Sequence, residues 1–365
     1  MTNQDMRNRF RGCLIGGAVG DALGAPVEFM SHDEIGRKFG PEGIKDYVPA
    51  YGKMGAITDD TQMTLFTAEG LLRAYVRGCM RGLSTFTGVT DHAYLRWLET
   101  QGYKSPIEIG RDGWLWEQKG LHSARAPGRT CISALKAKRS FGDPAVNDSK
   151  GCGGVMRVAP VGLYAWHRRG EENAATKVFD LGADLSGLTH AHPSGKWPAG
   201  VLALLVMRML DGVTIRNALS EAKAILREKG GHQETLNSIM VAEALADSGQ
   251  MPTSRKIERL GGGWVAEEAL AISIYCALVA TDFENGIVLA VNHSGDSDST
   301  GAIVGNLLGA QMGIEAIPDR WKSSVELREV IEQVADDLHG YPAWNIGEYV
   351  TDGDNERIWA RYPGW

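Results

Sequence analysis

Glycine recurs at every fourth position in two separate stretches of this chain: Gly12, Gly16, Gly20 and Gly24 near the start, and Gly301, Gly305, Gly309 and Gly313 near the end. On an α-helix a four-residue step lays such residues along one face. Each interior glycine costs roughly 1 kcal/mol relative to alanine, so a run of them is a penalty that something must offset. Close packing does so, because a face without side chains lets a second backbone approach. The spacing predicts two helices whose glycine faces lie at the centre of a bundle. A bulky residue at Gly16 or Gly305 is expected to be strongly destabilising.

Helical periodicity dominates the rest of the chain. Apolar residues fall at three- and four-residue steps over 59–76, 91–100, 176–188, 198–210, 214–229, 234–246, 266–280 and 325–338. Period-two β-branched runs are nearly absent, so the fold class read from the pattern is all-α. A chain of 365 residues can hold one large domain or two ordinary ones. No linker interrupts it, which favours a single domain over 1–365. The segment 230–263 is bracketed by glycine and reads as an insertion with a short helix inside. From Tyr341 the tail carries Trp344, Tyr349, Trp359, Tyr362 and Trp365, and aromatics that dense are expected to pack back on the body.

Net charge is −7 and the isoelectric point about 5.8, which argues against a nucleic-acid-binding surface. The best membrane candidate, 13–29, is interrupted by Asp21, Pro26 and Glu28 and is too short to span a bilayer. Residues 1–7 lack a basic-then-apolar leader. Five scattered cysteines with no C-x-x-C pair fit reduced core thiols in a cytoplasmic protein.

Two acidic clusters stand out against this background. Thr58-Asp59-Asp60-Thr61-Gln62 opens one helical run, and Gly295-Asp296-Ser297-Asp298-Ser299-Thr300 opens the second glycine-spaced one. Helix capping accounts for part of each: Asp59 as N-cap with Gln62 at the capping-box position, and Asp298 as cap of a helix starting near Ser299. That leaves one adjacent carboxylate per cluster, Asp60 and Asp296, without a structural job. Carboxylate and hydroxyl oxygens are hard ligands suited to Mg²⁺, Mn²⁺ or Ca²⁺. Two such clusters, with no metal-type Cys or His pairs, suggest a two-metal oxygen-ligated site. Asp21, set in an apolar helix, needs a hydrogen-bonding partner if buried. His190 and His192, two residues apart, would not share a helix face, and His192 before Pro193 is expected to end the local helix.

These motifs resemble the ADP-ribosylglycohydrolase family. The run from Arg11 to Gly24 is similar to its first helix, Thr58-Asp59-Asp60-Thr61 to its first metal motif and Gly295-Asp296-Ser297-Asp298-Ser299 to its second. Gly153-Gly154-Val155-Met156-Arg157-Val158-Ala159-Pro160 and Leu188-Thr189-His190-Ala191-His192 match intervening elements in order, so the likeness spans about 11–313. The resemblance implies a compact orthogonal multi-helix bundle with a dinuclear Mg²⁺ or Mn²⁺ centre. Thr58, Asp59, Asp60, Asp296, Asp298 and Ser299 would be its ligands. Glu28 would be the mobile acid/base near the metals, with Asp60 and Asp296 as the other catalytic carboxylates. Gly151, Cys152, Gly153 and Gly154 would accommodate a diphosphate through backbone N–H groups, and His190 would line the substrate pocket. Ser299 stands where the family commonly has Thr, and Cys152 where a small polar residue is more usual. Asp112 and Trp114 fall where the family places substrate contacts, but no local motif fixes them.

The implied reaction is hydrolysis of the bond joining ADP-ribose to a protein side chain, with arginine the preferred linkage. The modified protein is the expected partner. A cognate ADP-ribosyltransferase toxin, held in check by an immunity function, is a further expectation. The competing readings are an ADP-ribose-binding or toxin-blocking protein without turnover, and a metal-dependent phosphoesterase cutting the diphosphate. A protein-linked substrate needs an open cleft, lined by the 230–263 segment or the 29–54 loop.

Overall fold

The computed structural model describes residues 2–364, so Met1, and Trp365 of the aromatic tail, lie outside the described residues. The first half of the chain forms α1 (Asn3–Gly24), α2 (His32–Phe39), α3 (Asp59–Arg81), α4 (Phe86–Thr100), α5 (Arg129–Lys136), α6 (Ala159–Trp166) and α7 (Ala174–Gly187). Then come α8 (Pro193–Leu210), α9 (Ile215–Arg227), α10 (Gln233–Asp247), α11 (Ser254–Ile257) and α12 (Ala266–Val279). The last are α13 (Phe283–Val291), α14 (Ser297–Met312), α15 (Asp319–Lys322), α16 (Arg328–Gly340) and α17 (Gly353–Arg361). Strand pairing among the described residues is limited to isolated bridges at Ala50–Lys53 and Gly151–Val265. The all-α expectation holds. Among the described residues no helix is long and apolar enough to cross a membrane.

The two glycine faces meet. A Cβ placed on Gly16 would lie 2.4 Å from the Gly305 carbonyl oxygen, and one on Gly305 would lie 1.9 Å from that of Gly16. Gly12 faces Gly309, Gly20 faces Gly301 and Gly24 faces Ser297 in the same way. α1 and α14 therefore run antiparallel, backbone against backbone, and Asn306 Nδ2 adds a 2.8 Å hydrogen bond to the Cys13 carbonyl. Gly313 departs from the expected pattern. With φ at +81° it closes α14 rather than continuing it, a conformation that glycine adopts without steric cost.

This pairing has a positional consequence. The C-terminal end of α1 is held beside the N-terminus of α14, and Asp21 ties both to the N-terminus of α3. Its carboxylate accepts from the Thr58 N–H at 3.0 Å, the Thr61 N–H at 3.1 Å and the Thr61 hydroxyl at 2.5 Å. The expected partner for a buried Asp21 is thus the start of α3, and three helix ends converge.

Other boundaries differ for local reasons. α8 begins at Pro193, five residues before the periodic run, because proline is preorganised for the first helical position. His192 starts that helix instead of ending the previous one, and its Nδ1 accepts from the Ser194 N–H at 3.0 Å. The tail does pack back: Tyr362 donates to Asp337 at 2.7 Å and stacks with Trp344 at 5.7 Å. Tyr349 is the exception and is exposed. Between α3 and α4 lies a fully buried ionic network, in which Glu69 accepts from Arg96 at 2.7 Å and pairs with Arg73 at 3.1 Å. Glu69→Ala would leave the Arg96 guanidinium buried without its carboxylate, so a loss of about 3–5 kcal/mol is expected. Chemical denaturation reads it directly; a loss below about 1 kcal/mol would contradict the network's assigned weight.

Candidate active site

Both acidic clusters sit in first turns, where the helix N-terminus favours negative charge. Their caps are not the expected ones. Thr58 is extended and caps α3, its hydroxyl accepting from the Asp60 N–H at 3.2 Å. Asp59 accepts from the Gly128 N–H at 3.1 Å. Gln62 makes no capping box; its carbonyl accepts from Trp97 Nε1 at 3.2 Å and Gln101 Nε2 at 2.9 Å. In α14 the cap is Asp296, not Asp298, and Asp296 accepts from the Ser299 N–H at 3.3 Å. Each helix thus starts one or two residues earlier than the capping argument supposes, which moves Asp59 and Asp298 into the first turn beside Asp60.

A cavity of about 200 Å³ opens onto these residues. Glu28, Asp59, Asp60, Asp296, Asp298 and Ser299 line it, together with Gly151, Cys152, Gly153 and His190. Thr58 stands behind, fully buried with its hydroxyl toward Asp298. Gly154 does not line the cavity, and its hydrogen faces Ser186, whose Oγ would lie 1.9 Å from a Cβ there. Gly154 serves packing of the loop on α7. A roomier cavity of about 390 Å³ lies along α6 and α7, where Arg168 and Lys177 pair with Glu171 and Asp180 pairs with Lys229.

The electrostatics of the smaller cavity are unusual. Oxygens of Glu28, Asp296 and Asp298 lie within 4.8 Å of one another. Glu28 Oε2 and Asp60 Oδ2 are buried with no hydrogen-bond partner. Burial, then repulsion from Asp298 and Asp296, pushes Glu28 up to about 10. Burial and Asp298 raise Asp21 to about 7 against the opposing hydrogen bonds from Thr61 and Thr58. Asp59, Asp60 and Asp296 are likewise pushed well above the usual carboxylate range, by burial first. Unpaired buried carboxylates this close are costly without a cation. Hard oxygen donors with orphaned lone pairs suit a divalent ion of the Mg²⁺ or Mn²⁺ class.

The sign of the pH dependence follows. An acid whose folded-state pKa is raised binds more protons folded than unfolded between the two values, so stability falls as pH rises through that window. With Asp21 near 7 and Glu28 near 10, metal-free protein is expected to melt lower at about pH 8 than at about pH 5. Added Mg²⁺ is expected to flatten or reverse that slope. A metal-free melting temperature that climbs over this range would contradict the assignment.

The opposite wall is the glycine loop. The Cys152 N–H donates to the Trp264 carbonyl at 3.2 Å and its thiol to Asp296 at 2.7 Å. Burial and Asp296 push that thiol up, so it is no thiolate nucleophile. His190 is buried, and burial and Arg157 lower it to about 3, so it is neutral. Arg157 donates to the Thr189 hydroxyl at 2.7 Å, and that hydroxyl lies 2.8 Å from His190 Nδ1. Arg157 can only donate, so it fills one lone pair of that hydroxyl, and the other ring nitrogen of His190, Nε2, lies beside Gly151 and Gly153.

Asp112 and Trp114 are not brought to the cavity. Asp112 pairs with Arg73 at 2.9 Å, and the Trp114 N–H bonds the Arg361 carbonyl. Conversely, Arg129 and Trp264 line the cavity without any sequence signal beyond the glycine turn that precedes Trp264.

A family model described as ADP-ribosylglycohydrolase matches residues 2–346. The chain is 26% identical over 349 residues to the ADP-ribosyl-[dinitrogen reductase] glycohydrolase of Rhodospirillum rubrum, covering 92% of this chain and 97% of that one. It is 23% identical over 350 residues to the ADP-ribosylarginine hydrolase Tri1 of Pseudomonas putida, covering 93% and 80%. Among solved structures, an ADP-ribosylglycohydrolase-related protein complex superposes with a TM-score of 0.59 at 27% identity, over 92% of this chain and 98% of that one. The family model spans most of the chain, and the chain belongs to the ADP-ribosylglycohydrolase family.

Proposed function

We propose that this glycohydrolase removes ADP-ribose from arginine side chains, with two Mg²⁺ or Mn²⁺ ions held between the starts of α3 and α14. The observation that carries the proposal is the group of buried carboxylates, two with orphaned oxygens, facing a glycine loop across one small cavity. Thr58, Asp59 and Asp60 would hold cation from one side, and Asp296, Asp298 and Ser299 from the other. Bound cations supply Lewis-acid polarisation and orientation of sugar hydroxyls and water.

The protein's own groups do the rest. The Gly153 N–H and the His190 ring suit the diphosphate, with Arg129 lining the same cavity. The bond from the anomeric carbon to the side-chain nitrogen breaks as that nitrogen takes a proton from Glu28. Water attacks the same carbon as oxocarbenium character develops, stabilised by the surrounding carboxylates, and its proton passes to Asp60 or Asp296. The products are free ADP-ribose and unmodified arginine.

The name of the Pseudomonas relative favours the arginine linkage. Residues 1–365 are read as one domain with 230–263 inserted, because α1 and α14 share both a backbone interface and the site. Five free thiols suit a cytoplasmic setting. No observation favours a toxin partner, and the proposal stops at the modified side chain. The test is turnover of ADP-ribosyl-arginine peptide by wild type and by the Asp296→Ala/Asp298→Ala double variant, with Mg²⁺ or with EDTA. Loss of activity in the variant and in EDTA is expected. Full activity of that variant in EDTA would remove the metal mechanism.

A further inference from the structure

Beside the acidic cavity, on the α5 side, lies a groove of about 430 Å³ whose lining includes Tyr103, Pro127, Arg129, Ile132, Ser133 and Lys136. Arg129 lines both spaces, and Pro127 stands between Ala126 and Gly128 of the cavity wall. The groove is therefore an outward continuation of the site. Its sequence departs from the rest of the chain. Residues 118–142 carry six Lys or Arg and no Asp or Glu, in a protein whose 45 acidic residues outnumber its 38 basic ones. Two of the six are internal: Arg125 pairs with Glu326 at 3.2 Å and Lys138 with Asp91 at 2.9 Å. Arg129 and Lys136 are exposed. Lys136 lies 5.0 Å over the Tyr103 ring, and among the described residues no carboxylate pairs with either cation. Glu99, four residues before Tyr103, is held by Arg111 at 2.5 Å.

Exposed cations are ordinary on a protein surface; placement sets these two apart. Both lie on one face of α5, with Ile132 between them as an apolar floor. Their seven-residue separation is about 10 Å along the helix axis, which an extended peptide covers in about three residues. An arginine whose ADP-ribose reaches the cavity belongs to a chain that has to continue past the rim, and the groove opens at that rim. Carboxylates carried there meet the guanidinium fork of Arg129 and the ammonium of Lys136 without displacing another acid. We propose that the groove receives acidic side chains flanking the modified arginine of the target protein, spaced about three residues apart, and so selects among ADP-ribosylated proteins by sequence. This rests on the arginine reading above.

The test uses two ADP-ribosyl-arginine peptides with Mg²⁺ present, one with glutamates on both sides of the modified residue and one with glutamines in their place. Wild type, Lys136→Ala and Lys136→Glu are compared by kcat/KM on each peptide and by Kd for free ADP-ribose from calorimetry. Wild type is expected to favour the glutamate peptide about fivefold at low salt, a preference that shrinks as salt screens it. Lys136→Ala should reduce the ratio to about twofold and Lys136→Glu should abolish it. Turnover of the glutamine peptide and Kd for ADP-ribose should change less than about twofold in both variants. An active wild type without preference between the peptides, or a Lys136→Glu variant that keeps the full preference, overturns the groove and leaves the hydrolase reading standing. If affinity for free ADP-ribose falls in parallel with peptide turnover in Lys136→Glu, the groove takes nucleotide and the proposal is overturned. A wild type that cleaves neither peptide overturns the arginine reading and the groove with it.

Discussion

Asp60→Asn is expected to abolish most glycohydrolase activity while raising the melting temperature of the metal-free protein. Asp60 lies in the first turn of α3, buried, with one oxygen lacking any partner. Burial and the charges of Asp298, Asp59, Asp21 and Asp296 all raise its pKa. In metal-free protein that carboxylate is a net cost, and an amide of the same shape removes the repulsion and can donate to the neighbouring carboxylates. Melting is therefore expected to rise by about 1–3 °C. With Mg²⁺ the comparison inverts, because an amide is a weaker ligand and the stabilisation by bound metal shrinks. Activity should drop at least about 10²-fold, the factor corresponding to ~3 kcal/mol of lost transition-state stabilisation. Parallel melting scans with Mg²⁺ and EDTA, beside turnover, check both halves. A variant that is fully active, or less stable without metal, would place Asp60 outside the ion site.

Gly305→Leu is expected to leave no folded protein at all. The Cβ alone would approach the Gly16 carbonyl oxygen to 1.9 Å and the Gly16 carbonyl carbon to 2.4 Å. Those are backbone atoms of a central helix, so no rotamer change relieves the contact. α1 and α14 would have to separate by several ångströms, opening the core beside Cys13, Phe283 and Ala302, all buried. Losses above about 4–5 kcal/mol are exceptional and mark such mechanisms, and they match a large part of the stability a domain has. Gly16→Leu meets the Gly305 carbonyl at 2.4 Å and should behave alike. Circular dichroism and soluble yield read the outcome. Gly36→Leu on α2, where an added Cβ meets nothing within 4 Å, is the control and should fold normally. Native-like melting of the Gly305 variant would mean the two glycine faces do not touch.

The parts of this structure legible in the sequence are those with a repeating period or a paired signal. Four-residue glycine spacing predicts helix faces without side chains, and the pairing of Gly12, Gly16 and Gly20 with Gly309, Gly305 and Gly301 is what such faces do. The acidic clusters are legible because two carboxylates at a helix start exceed what one cap requires. Which residue caps is not legible, since Thr58 and Asp59, or Asp296 and Asp298, are all good caps and the tertiary site decides among them. Asp21 signals that it needs a partner, but its bonds to Thr58 and Thr61 depend on α1 and α3 meeting. Gly154 looks like its loop neighbours in sequence, yet contact with Ser186 turns it away from the cavity. Trp264 and Arg129 carry no motif, and only the folded chain brings them to the site.

The most direct test of the central claim is product analysis after incubating wild-type protein and Mg²⁺ with an ADP-ribosyl-arginine peptide. Chromatography and mass spectrometry would follow both the nucleotide and the peptide. The predicted result is free ADP-ribose with peptide returned to unmodified arginine, suppressed by EDTA. Release of AMP with ribose phosphate left on the peptide, or no cleavage with Mg²⁺ or Mn²⁺, would contradict glycohydrolysis at this site.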